Sequence, residues 1–462
     1  MLRTLLRKKP IQEIYSHGLL HRTLNAFDLI LMGIGAIIGA GVFVLTGVAA
    51  ANAAGPAIVI SYFIAGLASL FAALAYAELA ASIGGAGSAY SYAYSGFGEL
   101  IAWLIGWNLI LEYAMAVSTV AIGWSGYVNN LFEALGVHLS RSITKNPFDG
   151  GVINVLAMLI VLALALLLSI GIRHSARFNA VIVFIKLATI GIFMIIAAAN
   201  VNVDNWRDFF PFGWSGIMGG AALVFFAFIG FDALSTTVEE AINPQRDIPI
   251  GIIGSLIVCT VIYIAVAFLL TGISHYSLLN VESPVSEALL HLGYQKAAGL
   301  IAAGAIAGLT TVILVTYYGL TRVCLAMSRD GLLPTALSHI NRQTHTPIRI
   351  ILIVAIIMCL IAGLSPIDRA AELVNIGTLA AFTFVCGGVM VFRVTHPDLK
   401  RPFKIPFNPF IPILGMIFCL YLMFNLPSVT WFRFGIWTLI GIIFYSFYGH
   451  RHSLLNKSNE IP

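Results

Sequence analysis

Three ionisable residues stand inside long apolar runs, where a charge needs a reason to be. Lys186 lies in the run Val181-Ile182-Val183-Phe184-Ile185-Lys186-Leu187-Ala188-Thr189-Ile190. A lysine at the centre of a membrane helix costs about 2.5–3.5 kcal/mol on insertion scales, so it is a functional candidate by default. Its ammonium can stand in for a bound cation between helices, and once desolvated it can titrate. It lies about eight residues into its run, rather deep for the head group to snorkel out to water. Glu112 follows Trp107-Asn108-Leu109-Ile110-Leu111, and Asp232 closes Phe225-Phe226-Ala227-Phe228-Ile229-Gly230-Phe231-Asp232. Both read as members of a polar network facing a bundle interior. Glu78 sits near the cytoplasmic end of its run, where a solvated or loop-pairing role fits as well as a transport role. Glu239, Glu240, Arg246 and Asp247 form a charged loop, read as structural or gating ion pairs.

Glycines supply the second kind of chemistry. Gly33, Gly35, Gly39 and Gly41 fall within nine residues of one apolar run. Each costs a helix interior about 1 kcal/mol relative to alanine, so the Gly39-Ala40-Gly41 cluster is the expected break. Gly230 marks a second, weaker one. Close helix packing through small residues is the alternative for both. A broken helix leaves N–H and C=O groups unpaired, which apolar surroundings tolerate only around a cavity. Half-helix N-termini attract a carboxylate and half-helix C-termini an ammonium. Two adjacent breaks therefore suit an α-amino acid.

The elements that must position these groups are membrane helices. The chain is 59% hydrophobic and 10% charged, with mean hydropathy +0.94, against about 25% charged residues in soluble domains. Apolar runs of about 18 or more residues recur throughout, each able to cross a ~30 Å hydrocarbon core as a helix. Twelve spans are expected near 26–50, 55–82, 97–132, 151–172, 178–200, 215–241, 249–274, 297–330, 348–364, 369–395, 409–427 and 430–450. The third and eighth exceed one simple crossing and are expected to tilt or run on. With residues 1–25 assigned to the cytoplasm, and residues toward a span's end counted with the adjoining side, 18 lysines and arginines fall inside and 6 outside, Lys186 being at the centre of a span. That bias places both termini in the cytoplasm. The domains are then a cytoplasmic tail at 1–25, a single transmembrane domain at 26–450 and a cytoplasmic tail at 451–462. Residues 1–25 lack the apolar core of a signal peptide.

Other function classes find no support in the residues. The five cysteines form no CxxC pair and read as buried, inert thiols. No HExxH, HxxEH, GxSxG or Walker A motif occurs, and the eleven histidines show no ligand spacing. An enzyme, a metal site and a bound cofactor are therefore not expected. The net charge of +5 is carried in loops and orients the chain, so it does not point to nucleic acid.

Four strings carry a family likeness: Gly33 to Phe43, Phe225 to Asp232, Glu239-Glu240-Ala241-Ile242-Asn243-Pro244-Gln245-Arg246-Asp247-Ile248-Pro249, and Ala326-Met327-Ser328-Arg329-Asp330-Gly331-Leu332-Leu333-Pro334. In this order they make the chain resemble bacterial members of the cationic amino acid transporter family, within the amino acid–polyamine–organocation superfamily. The likeness covers nearly the whole chain. It implies an all-α polytopic membrane protein of 12 transmembrane helices. Two inverted five-helix repeats (spans 1–5 and 6–10), with spans 1 and 6 broken at mid-membrane, precede two C-terminal helices. It implies a substrate site between spans 1, 3, 6, 8 and 10. There the N–H groups around Gly39, Ala40 and Gly41 would bind a carboxylate, and the carbonyls of Ile37, Phe226, Ala227 and Ile229 would take an ammonium. Lys186 matches the family's fifth-span lysine, which stands where sodium-coupled relatives of the wider fold hold sodium. That favours proton coupling. Thr316 is expected to line the side-chain pocket. Ala40 stands where relatives often carry a hydroxyl, and Gly84 where they usually carry proline.

The expectation is a secondary active amino acid transporter in the cell (inner or plasma) membrane, coupled to protons and working by alternating access. A broad or neutral substrate range is preferred, since no acidic ring beyond Glu112 and Asp232 is present. An amino acid or polyamine exchanger is the nearest alternative. A nontransporting amino acid sensor is the alternative of another class. Partners are then the amino acid, the proton and membrane lipid, with room for a small accessory membrane subunit.

Overall fold

In a computed structural model of the chain, residues 7–10, 22–83, 87–134, 136–281, 283–424, 426 and 428–457 are described. Gly84 and most of the tail at 1–25 lie outside them. Among the described residues the protein is helical throughout, with no strand and one isolated β-bridge, Leu24 to Ala241.

The first helix, α1 (Ala26–Ile37), starts on a capping box. The Asn25 side chain accepts from the N–H groups of Phe27 and Asp28, at 2.8 and 3.1 Å, and Asp28 returns a bond to the Asn25 N–H. Two donors left over at the helix start are thereby paired. Ile38 is extended (φ −75°, ψ 103°), and helical turns resume at Gly41 and continue to residue 54. The break thus opens one residue before the expected glycine cluster. Then follow α2 (Ile58–Ser82), α3 (Ala89–Gly96), α4 (Glu99–Ala134), α5 (Val155–Ile170) and α6 (Ile172–Ala199). The short helix α3, wholly buried, lies in what the sequence reads as a loop.

The chain then repeats the interruption. Helix α7 (Gly213–Val224) tightens into a 3₁₀ turn at Phe225–Phe228, Ile229 is extended, and Gly230 takes φ +119° before a second tight helix, Phe231–Thr237. That left-handed conformation favours glycine. Beyond it come α8 (Pro244–Ile273), α9 (Pro284–His291), α10 (Gln295–Arg329), α11 (Ile348–Leu364), α12 (Ile367–Thr395), α13 (Phe410–Phe424) and α14 (Ser428–Phe444). The overlong third and eighth runs are single helices of 36 and 35 residues.

Among the described residues, eight helical stretches are long and apolar enough to cross a membrane, and α1, α5, α11 and α13 are shorter apolar helices. Their outward faces carry large apolar side chains, such as Leu166 on α5, Ile195 on α6 and Phe432 on α14. The inner face is alanine-, glycine- and serine-rich, which lets backbones approach closely. At the centre, α10 packs along α4, and α8 packs along α1 and α2. The outermost helix, α14, is pinned by stacked indoles, Trp107 on Trp437 with ring centroids 4.5 Å apart.

Candidate functional site

The break after α1 frees the last carbonyls of that helix. Lys186, fully buried on α6, meets them: its Nζ donates to the Ile38 carbonyl at 2.7 Å, to Gly35 at 3.2 Å and, at 3.4 Å, to Ile34, which also keeps its helical bond from the Ile38 N–H. Thr311 on α10 donates to the same Gly35 carbonyl at 2.9 Å. A cation at a helix C-terminus also meets the negative end of the helix dipole. The ammonium thus occupies a cation's place, with main-chain oxygens as its ligands.

Further carbonyls around the breaks are braced by tyrosines, which the sequence alone does not single out. The Tyr263 hydroxyl, from α8, lies 2.6 Å from the Ile37 carbonyl and 2.9 Å from that of Ala227. The Tyr62 hydroxyl, from α2, donates to the Gly41 carbonyl at 3.0 Å and lies 2.7 Å from the Thr46 hydroxyl. Their only signal in the sequence is a polar tip in an apolar run, which packing also explains.

Glycine brings the two breaks together. A side chain on Gly41 would run into Ala227, and one on Gly39 would press on Val312 of α10. Gly39, Ala40 and Gly41, whose N–H groups start the resumed helix, therefore lie beside Ala227 and, through Val312, beside α10. Ala227 and Ile229 are buried, while Ala40 and Phe226 are partly exposed. Thr316 is buried in α10.

Asp232 and Glu112 are both buried, and their environments differ. Asp232 accepts from its neighbour Gly230 N–H at 3.2 Å and from the Tyr113 hydroxyl of α4, which ties α4 to the second break. Both Glu112 carboxylate oxygens are buried without a hydrogen-bond partner. Its Cβ lies against Gly377 of α12. The acidic pair and Lys186 thus sit on different partners.

The charged loop closes one end of the bundle. Glu240 pairs with Arg322 at 2.8 Å, both 1% exposed, and the guanidinium lies over the Tyr318 ring at 4.5 Å. Glu239 pairs with Arg329 at 3.0 Å and Lys9 with Asp330 at 2.5 Å. Arg246 is exposed, and Asp247 caps the start of α8 through the Asn243 N–H. Glu78 is buried rather than solvated: Arg393 grips both its oxygens, at 3.0 and 2.6 Å, and the Ile405 N–H adds a third bond. All five cysteines are free and buried.

Comparison with known proteins adds an independent line. Residues 24–447 match the family model described as amino acid permease. The chain is 47% identical to the methylthioribose transporter of Bacillus subtilis (strain 168), over 98% of this chain and 100% of that one. It is also 47% identical to the branched-chain amino acid permease of the same organism, over 98% and 99%. It is 30% identical to the vacuolar cationic amino acid transporter 4 of Arabidopsis thaliana, over 100% and 98%.

Proposed function

We infer the function from one premise: the chain belongs to the amino acid permease family, a family of membrane transporters and not of enzymes. The protein is a secondary active transporter that takes up an amino acid together with a proton by alternating access. One observation carries this reading, the meeting of two interrupted helices around main-chain groups with the Lys186 ammonium on the carbonyls of the first. The twelve apolar helices are read as twelve spans, ten of them as two inverted repeats of five. Both termini are read as cytoplasmic, from the excess of Lys and Arg on that side.

In this reading the N–H groups at Gly39, Ala40 and Gly41 receive the carboxylate. The carbonyls of Ile37, Phe226, Ala227 and Ile229 receive the ammonium, and Thr316 helps to bound the side-chain pocket. Lys186 moves the coupling proton: charged, it holds the break shut on its three carbonyls, and on losing the proton it loosens that grip. Glu112 and Asp232 form the polar network between α4 and the second break.

The substrate is a neutral amino acid with a medium-sized apolar side chain. The names of two relatives of equal identity support this, since a branched aliphatic group and a methylthio group are both apolar and similar in size. The first of them also supports a second reading, a thioether sugar as cargo.

Uptake of radiolabelled amino acids and of methylthioribose into proteoliposomes, with and without an inward proton gradient, tests all three. Gradient-stimulated uptake of branched-chain amino acids or methionine is the expected result. Uptake only against preloaded substrate would establish exchange. Uptake of methylthioribose alone would establish the second reading.

A further inference from the structure

Both interrupted helices end at one hydroxyl. Tyr263 is fully buried on α8, and its oxygen stands 2.6 Å from the carbonyl of Ile37 and 2.9 Å from that of Ala227. Ile37 closes α1, and Ala227 lies in the last turn before the second break. Neither carbonyl has a continuing helix to supply the N–H four residues on. The Tyr263 ring is wedged between Tyr62 and Phe228, with centroids 5.4 and 5.3 Å away, so the hydroxyl is held in place.

A phenol carries one proton. Tyr263 can donate to one of the two carbonyls at a time, and the other then faces a lone pair at hydrogen-bond distance. A buried acceptor in that position calls for another donor. A primary ammonium brings three.

We propose that Tyr263 is a specificity-determining positioning residue that supplies one of the two donors the broken helices call for and leaves a single place for a substrate amino group. Its single proton serves one break while the substrate ammonium serves the other. This rests on the amino acid reading above and adds to it what sets the strength of ammonium selectivity. The hydroxyl also competes with the ligand for the same oxygens. Removing it leaves both carbonyls to the ammonium and both unpaired when the ligand lacks one.

Tyr263→Phe keeps the ring and deletes only the competitor. Transport of leucine and of its des-amino analogue, measured in proteoliposomes, reads the effect. The expected result is that preference for leucine over the analogue widens about tenfold, the KM for leucine does not rise, and the maximal rate falls. A merely structural role would weaken both ligands alike, and an unchanged preference overturns the proposal. Should the Phe variant not fold, 3-fluorotyrosine at position 263 keeps the shape and donates more strongly. The preference then narrows and the leucine KM rises, and a constant ratio again overturns the proposal. A wild-type protein that carries neither compound overturns the amino acid reading itself, whereas wild-type carriage of leucine with constant ratios in the variants overturns only the role of Tyr263.

Discussion

Lys186 has no carboxylate among its hydrogen-bond partners, only carbonyls of Ile34, Gly35 and Ile38. Dipoles hold an ammonium less firmly than a carboxylate does, and that suits the coupling role proposed for Lys186. Lys186→Ala is expected to cut proton-driven uptake at least tenfold while the protein still elutes as a single folded species. Undiminished gradient-driven uptake would remove its coupling role. Gly41 makes a different prediction. A methyl group there meets Ala227, so Gly41→Ala should cost about 1–3 kcal/mol through overpacking and abolish uptake. Gly219, on an open face of α7 with nothing within 4 Å, is the control. Gly219→Ala should leave both uptake and melting temperature as they were or raise the latter slightly. These residues were legible in the sequence because a lone charge or a dense glycine cluster breaks an otherwise apolar run. Tyr62, Tyr113, Tyr263 and Thr311 were not, because a hydroxyl in an apolar helix looks the same whether it packs or binds. Only the carbonyl it meets tells the difference.

Two elements far apart in sequence are sewn together at the closed end of the bundle. Thr23 and Leu24, just before α1, donate to the Glu240 carbonyl at 2.9 and 3.0 Å, and Ile242 donates back to Leu24 at 2.8 Å. The first half of the first interrupted helix and the second half of the other are thereby joined through main chain. Glu240 and Glu239 then fasten the joined pair to α10 through Arg322 and Arg329. Breaking a buried pair by removing one partner costs about 3–5 kcal/mol, whereas replacing both by apolar groups is often neutral. Arg322→Met alone should therefore lower the melting temperature in detergent by roughly 5–10 °C. The double change Arg322→Met with Glu240→Met should recover most of that loss. A double variant no more stable than the single one would count against this role of the buried pair. The helices themselves were legible from hydropathy to within a few residues. The helix α3 was not, since Ala89–Gly96 is short and polar enough to pass for a loop. Nor was the Glu78–Arg393 pair, whose members are 315 positions apart.

At the scale of the whole molecule, the fold distinguishes inside from outside within a single step of a helix. Lys186 is fully buried, while its neighbour Ile185 is 48% exposed on the apolar outer face. Successive residues of a helix point about 100° apart, so moving the charge by one position moves it from a cage of carbonyls into lipid. Ile185→Lys is expected to cost about 2.5–3.5 kcal/mol of insertion free energy. The readout is the amount of protein recovered in the membrane fraction, which should fall well below wild type. Recovery at the wild-type level would mean that this face is not turned to hydrocarbon. The buried side of the bundle carries the breaks and the ion pair of Glu240 with Arg322, and the outer side presents large apolar side chains such as Leu166, Ile195 and Phe432. That division is what the low charge content of the sequence already implied.

The oxygens that receive Lys186 and Tyr263 all belong to the main chain, and this has a consequence for anyone who edits the protein. No codon change deletes a carbonyl. An alanine scan will walk past every one of these acceptors and report only on what surrounds them. Their individual roles become visible through backbone chemistry instead, by exchanging a peptide link for an ester, which leaves a weaker acceptor in the same place. The same property makes the scaffold permissive. Side chains around the breaks can be rewritten to admit a new cargo while the backbone lattice beneath them persists, out of reach of substitution.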